Sequence, residues 1–224
     1  MSMLTNLDLI RRVPVFSVLT ASQAESLAGA VGKRRFKRGE IIVKEGHKSD
    51  ALFIILVGQA RVLMTDHKSR EVILATLNSG DYVGEMSLID NEPHSATVEA
   101  ESECDVLMLG REDFTRCLEQ NSTMAFSVMR GLVQRLRSAD RKIGSLALLG
   151  VYGRVANMLL ESATAHGDHQ RIIAKKISRQ DIAKMVGASR EMVSRVMKDF
   201  EDSGFIETIE GGAIVIKERR LTRR

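Results

Sequence analysis

Residues able to read the edge of a nucleic-acid base are gathered in one stretch, Arg179-Gln-Asp-Ile-Ala-Lys-Met-Val-Gly-Ala-Ser-Arg-Glu-Met-Val-Ser-Arg-Val-Met-Lys198. At helical spacing Arg190, Glu191, Ser194, Arg195 and Lys198 share the side opposite Val193 and Val196. Arginine can bond in a fork to guanine O6 and N7, and glutamate can accept from cytosine N4. Two arginines flanking a glutamate therefore have the chemistry to read sequence in a major groove. Ahead of them Ile182, Ala183 and Val186 form the apolar face of a first helix, Gly187 can end it at positive φ, and Ser189 is suited to cap the second. That is the make-up of a helix-turn-helix. A two-helix packing element with a solvated charged face is the bland alternative.

A second pair with chemical potential is Glu85 and His94, which could serve as acid and base in a nucleotide hydrolase. No second carboxylate, metal cluster or nucleophile and base accompany them, so no catalytic residue is assigned and an enzyme is only a remote reading. The two cysteines, Cys104 and Cys117, form no CxxC and have no histidine at zinc spacing, so packing thiols are expected and no metal site.

The elements that must position these groups follow from composition and pattern. The chain has 224 residues, 44% hydrophobic and 28% charged, enough for two compact domains. Its apolar runs fall well short of the roughly 20 residues that a membrane span needs. With no signal peptide legible at the start, a soluble, cytoplasmic protein with no membrane partner is expected. Charge is uneven: residues 145–224 hold 14 Lys+Arg against 10 Asp+Glu, whereas residues 1–144 hold 19 of each. A basic part joined to a neutral one fits nucleic-acid contact through the smaller part.

Thr20-Ala-Ser-Gln23 has the form of a capping box and predicts a helix over Ala21 to Ala30. Short β-branched runs follow at Ile41 to Val43, Leu52 to Val57, Arg61 to Met64 and Val72 to Leu77, punctuated by glycine, which predicts an antiparallel roll. Helices are expected at Arg111 to Glu119 and from Ser122 to Leu149. The second carries an apolar seam at Phe126, Met129, Val133, Leu136, Ile143 and Ala147, with Asp140 in the seam. A stripe of about 40 Å is a poor match for a β-roll. Its expected partner is the same helix of a second subunit in a two-fold homodimer, with packing inside the subunit as the alternative. Phe205 to Ile209, Gly211-Gly212 and Ala213 to Ile216 predict a hairpin, the wing of a winged helix-turn-helix.

Together the roll, the long helix and the winged motif resemble the CRP/FNR (catabolite activator) family of bacterial transcription regulators over nearly the whole chain. The residues carrying the resemblance are Gly80-Asp-Tyr-Val-Gly-Glu-Met-Ser-Leu88, Pro93-His-Ser-Ala-Thr-Val98, Ile177-Ser-Arg-Gln180, Gly187-Ala-Ser-Arg-Glu191 and Arg195. The resemblance implies an α+β fold: a cyclic-nucleotide-binding β-roll sensor over 1–121, a dimerisation helix over 122–149 and a winged helix-turn-helix over 150–224. In such relatives the first segment is a phosphate-binding cassette whose glutamate holds the ribose hydroxyl and whose Arg-Ser pair holds the cyclic phosphate. The ligand-binding residues implied here are Gly84, Glu85, Met86, Ser87, His94, Ser95 and Ala96. His94 stands where the arginine would be, and a mostly neutral ring is a poorer phosphate partner than a permanent planar cation. Retention of the cassette as fold alone, with Gly84 making a turn that Glu85 caps, is the structural alternative.

Relatives touch adenine through a Thr-Ser pair on the long helix, where this chain has Ala139-Asp140. Asp140 offers two acceptors suited to guanine N1–H and N2–H, and Arg137 or Arg141 could stack on a base or meet phosphate. The effector is expected to be a cyclic nucleotide or dinucleotide, cyclic di-GMP before cyclic AMP, with no obligatory cofactor. Asp140 could instead fix helix register or pair across a dimer. In the C-terminal part the resemblance implies base reading by Arg190, Glu191 and Arg195 at a half-site related to TGTGA, with Ser178 and Gln180 on the phosphate backbone. Arg179, Ser189, Ser194 and Lys198 complete the expected contacts to double-stranded DNA. A two-fold dimer would read a pseudo-palindrome with half-sites about one helical turn apart. The loop Ala165 to Gln170 lies where relatives contact RNA polymerase, although a loop of this composition is equally consistent with an inert connection. Ligand would act by a population shift between orientations of the reading helices, raising or lowering DNA affinity. A ligand-independent regulator of the same fold is the competing reading.

Overall fold

The computed structural model describes residues 5–166 and 170–217, and the chain divides into two compact units within its longest helix, one up to Leu136 and one from Arg137 onward. The first unit opens with α1 (Asn6–Arg12), a 3-10 turn at Pro14–Phe16, and α2 (Ala21–Ala30). The Thr20 hydroxyl accepts from Gln23 N–H and the Gln23 side chain returns to the Thr20 N–H, so α2 starts where its capping box places it. The roll follows as β1 (Gly32–Phe36), β2 (Ile41–Val43), β3 (Ala51–Val57), β4 (Ala60–Thr65), β5 (Glu71–Leu77), β6 (Tyr82–Val83), α3 (Glu85–Asp90), β7 (Thr97–Ala100) and β8 (Cys104–Gly110). It is closed by α4 (Arg111–Gln120) and α5 (Ser122–Leu148).

Two antiparallel four-stranded sheets, ordered β1-β8-β3-β6 and β2-β7-β4-β5, make up the roll. The unbroken apolar run of β3 is explained by its two covered faces. Phe53 and Ile55 face the core between the sheets with Phe36, Val98 and Val106. Leu52 and Ile54 face a second core with Phe16, Leu27, Phe114, Met124 and Val128 from the flanking helices. Each such side chain, once fully buried, contributes about 1.5–3 kcal/mol. Cys104 lies in the first core and Cys117 half-buried on α4, and burial pushes both thiols up.

The second unit contains α6 (Val151–Ser162), β9 (Thr164–Ala165), β10 (Gln170–Ile173), α7 (Arg179–Val186), α8 (Arg190–Asp202), β11 (Ile206–Thr208) and β12 (Ile214–Lys217), with a 3-10 turn at Glu210–Gly212 between the last two strands. Its sheet runs β11-β12-β10-β9. Val155, Leu159, Ile182, Val186, Val193, Val196, Ile206 and Ile216 form one core, so the apolar faces expected of the two motif helices meet in it. Gly187 closes α7 at φ 62°. The expected hairpin is present, its first strand shortened to Ile206–Thr208, its second shifted by one residue to Ile214–Lys217 and its turn of 3-10 form, and α5 stops one residue short of Leu149. Residues 167–169 of the loop expected to meet polymerase lie outside the described residues. Among the described residues no helix is long and apolar enough to cross a membrane.

Phe126, Met129, Val133, Leu136 and Ile143 are all exposed, Leu136 and Ile143 by 62% and 64%. Within its own unit each of these seam side chains is left exposed.

Candidate effector cassette and DNA-reading surface

Between β6 and α3 the backbone turns through Gly84 at φ 97°, and a Cβ there would come within 2.7 Å of the Ala51 carbonyl oxygen. Both the left-handed conformation and the close approach exclude a side chain. This turn aims Glu85 inward, and the residue is only 1% exposed. One carboxylate oxygen accepts from Arg135 Nη1 on α5, while the other, Oε2, is buried with no partner. Burial pushes the Glu85 carboxyl up from its ordinary value, and the Arg135 guanidinium opposes that rise.

Arg135 also donates to the Tyr82 carbonyl and stacks over the Tyr82 ring at 5.1 Å from its centroid. The Tyr82 hydroxyl lies against Gly131, one turn earlier on α5, where a Cβ would stand 2.4 Å from the phenolic oxygen. Glycine at that position thus lets the helix come close enough for Arg135 to reach Glu85. Arg135 was not among the residues that the sequence singles out. Its only sequence signal is its place four residues after a mid-helix glycine, hence on the same face.

At the far end of α3, Asn91 is left-handed at φ 59°, and the Ser87 hydroxyl donates to the Glu92 carbonyl at 2.6 Å. Arg111 grips the same end, donating to the Leu88 carbonyl at 2.8 Å, the Ser87 carbonyl at 3.3 Å and Asp50 at 2.9 Å. Glu85 and Ser87 are buried and Met86 exposed. His94 is turned inward, 8% exposed, with Nε2 at 2.8 Å from the Ser49 hydroxyl. Burial lowers its pKa, so the ring is neutral at neutral pH. Ser95 is exposed and Ala96 buried. On α5, in the second unit, Arg137, Asp140 and Arg141 are exposed.

The second candidate surface is built on α7 and α8. Ser178 caps α7 by accepting from Asp181 N–H at 3.0 Å, and Ser189 caps α8 by accepting from Met192 N–H at 3.2 Å. Val193 and Val196 are buried, which turns Arg190, Glu191, Ser194, Arg195 and Lys198 to the exposed side together. Glu191 is held below the usual carboxylate range by its own backbone N–H and then by Ser189, so it is an acceptor at neutral pH. Arg179 reaches Glu201 at 3.5 Å, and Glu201 accepts from Thr208 of β11 at 2.6 Å, which ties the start of α7 to the end of α8 and to the wing. Gln180 is exposed beside them. A shallow depression between α7 and the wing is lined by Lys176, Ser178, Arg179, Gln180, Arg190 and Thr208. Three cations at the rim of a concave surface whose lining also includes Ile177 and Ile214 suit a phosphate backbone. Among the described residues no cluster of three His, Cys, Asp or Glu is placed to hold a metal.

Residues 33–121 match the family model described as a cyclic nucleotide-binding domain, and residues 153–224 match that described as a Crp-like helix-turn-helix domain. The chain is 37% identical over 193 residues to the cAMP-activated global transcriptional regulator Vfr of Pseudomonas aeruginosa, covering 82% of this chain and 88% of the relative. It is 34% identical over 181 residues to the cAMP-activated global transcriptional regulator CRP of Salmonella typhimurium, covering 78% and 84%. Among solved structures, the c-di-GMP responsive global regulator CLP of Xanthomonas campestris is similar with a TM-score of 0.74 at 23% identity, covering 89% of this chain and 100% of that chain. FixK2 from Bradyrhizobium japonicum is similar with a TM-score of 0.72 at 22% identity, covering 85% and 94%. At those identities the structural likeness shows the shared fold.

Proposed function

The chain belongs to the CRP family of transcription regulators, and on that premise we propose that it is a homodimeric, DNA-binding regulator controlled by a cyclic nucleotide held at the cassette around Glu85. The observation that carries the ligand reading is the buried, unpartnered Oε2 of Glu85. A buried acceptor without a donor costs about 1–3 kcal/mol, and a ligand hydroxyl would relieve that cost. Glu85 and Arg135 would together offer one acceptor and one cation to a sugar and a phosphate. The backbone at Gly84 and Met86, with Ser87, Ser95 and Ala96, would frame them.

His94 supplies no charge in its buried, neutral state, so a cyclic phosphate would be held less firmly here than by an arginine. Together with the two acceptors of Asp140 and the adjacent Arg137 and Arg141, this supports cyclic di-GMP as the effector. Cyclic AMP is the second reading, favoured by relatives at 34–37% identity whose names state activation by that nucleotide.

DNA contact rests on the exposed set Arg190, Glu191, Ser194, Arg195 and Lys198, with Ser178, Arg179, Gln180 and Ser189 at the helix starts on the phosphates. Dimerisation rests on the exposed seam of α5, an apolar stripe that neither unit covers within itself. The domains would run 1–121, 122–149 and 150–224. Ligand would shift the population of reading-helix orientations, in either direction, by its differential affinity for them.

Calorimetric titration with cyclic di-GMP and separately with cyclic AMP, on the native chain and on Asp140→Ala, tests the effector. Binding of the dinucleotide that is lost in Asp140→Ala supports the guanine reading. Cyclic AMP binding that survives the substitution selects the second reading. Absence of both, with operator affinity intact, would leave a ligand-independent regulator.

A further inference from the structure

Arg195 and Asp199 stand four residues apart on α8, the spacing at which side chains of opposite charge meet on a helix. Among the described residues they form no ion pair. Asp199 is turned instead to Tyr152 on α6, whose hydroxyl donates to its Oδ2. The Tyr152 ring, 46% exposed, packs on one side. It meets Phe200 edge-on at 6.0 Å between centroids, and Phe200 meets Phe205 edge-on at 5.0 Å. The hydroxyl is thereby presented beside α8, against Asp199.

We propose that Tyr152 is a positioning residue for base reading: by taking the Asp199 carboxylate it keeps the Arg195 guanidinium free for the DNA edge. The inference rests on the assignment of Arg195 as a base-reading residue made above. Arg195 lies near enough to the phenol to oppose the rise in its pKa, which comes first from the bond to Asp199, so the three groups share one neighbourhood. Without the hydroxyl, Asp199 is left to pair with the arginine one turn back. Arg195 must then break that pair before it meets guanine, and its charge toward the DNA is reduced.

The test is a double-mutant cycle on the full-length chain, read by fluorescence anisotropy on operator and on random DNA of equal length. Tyr152→Phe retains the ring and removes the donor. It is expected to weaken operator binding about two- to fivefold, the range of an exposed ion pair that must be broken, with little change on random DNA. Asp199→Asn removes the competitor and is expected to leave operator binding unchanged. In the double substitution the loss caused by Tyr152→Phe should disappear. A merely structural bond between α6 and α8 would give the opposite pattern, with Asp199→Asn as harmful as Tyr152→Phe and no rescue, and that result overturns the proposal. So does a Tyr152→Phe chain that binds operator as the native chain does. Arg195→Ala separates the two levels: if it leaves operator affinity unchanged, the base-reading assignment has failed, whereas a loss there beside a silent Tyr152→Phe refutes only the positioning role.

Discussion

Replacing Arg135 with alanine leaves Glu85, 1% exposed, without the side-chain counter-ion it has among the described residues. Removing one partner from a buried pair costs about 3–5 kcal/mol. The Arg135 side chain is 40% exposed, so water already screens part of the attraction, and about 2 kcal/mol is the expected loss. The loss should depend on pH with a definite sign. Glu85 already titrates above its ordinary 4.5 because of burial, and losing Arg135 removes what opposes that rise. A folded-state pKa raised above the unfolded one means that the group's favourable contribution is present at low pH and is lost as pH rises through the folded value. The Arg135→Ala defect should therefore be largest near about pH 8 and shrink toward about pH 5, by no more than about 1.4 kcal/mol per pH unit. Urea unfolding followed by circular dichroism at both pH values, on the native chain, Arg135→Ala and Arg135→Ala with Glu85→Gln, measures it. The double variant should lose the pH dependence of the defect. A defect equal at both pH values, or one unaffected by Glu85→Gln, would refute the account of a buried charge held by Arg135.

Gly131→Ala should cost about 1–3 kcal/mol, because its Cβ would lie 2.4 Å from the Tyr82 hydroxyl oxygen. In a Tyr82→Phe background the ring carbon that carried the hydroxyl stands at 3.5 Å, an ordinary contact. There the same substitution should become stabilising by up to about 1 kcal/mol through helix propensity, a sign reversal readable in thermal melts. Arg190→Ala should weaken operator binding by about 1–3 kcal/mol and relax discrimination at one base pair, with a smaller effect on random DNA; equal weakening on both would remove Arg190 from the base-reading set.

Local signals carried much of the architecture. The Thr20 to Gln23 capping box places the start of α2, Gly187 and Ser189 place the turn of the motif, and the β-branched runs place β2 to β5. Strand β1 escaped because Lys33-Arg34-Arg35-Phe36 has one apolar residue. It is an edge strand, paired on one side by β8, and needs little apolar alternation to form. The cassette was legible as a segment but not as a site. The Glu85 bond to Arg135 joins residues fifty apart, and the seam of α5 draws attention instead to Asp140 and its neighbours. His94 shows the same limit, for its type says that a charge is missing from the cassette, but only the fold shows the ring turned in toward Ser49.

The short helix α3 begins at a left-handed glycine and ends at a left-handed asparagine, with the carbonyls of its last turn gripped by Arg111. Its length is thereby specified at both ends, and a one-residue insertion would move a conformation that few residues tolerate onto a position not suited to it. The segment is accordingly expected to tolerate exchange of side chains on its frame better than a change of length. A mutagenesis library that varies Met86 and Ser95 while holding Gly84, Asn91 and Arg111 would explore most of what the frame allows, and libraries that vary loop length there would return mainly unfolded protein.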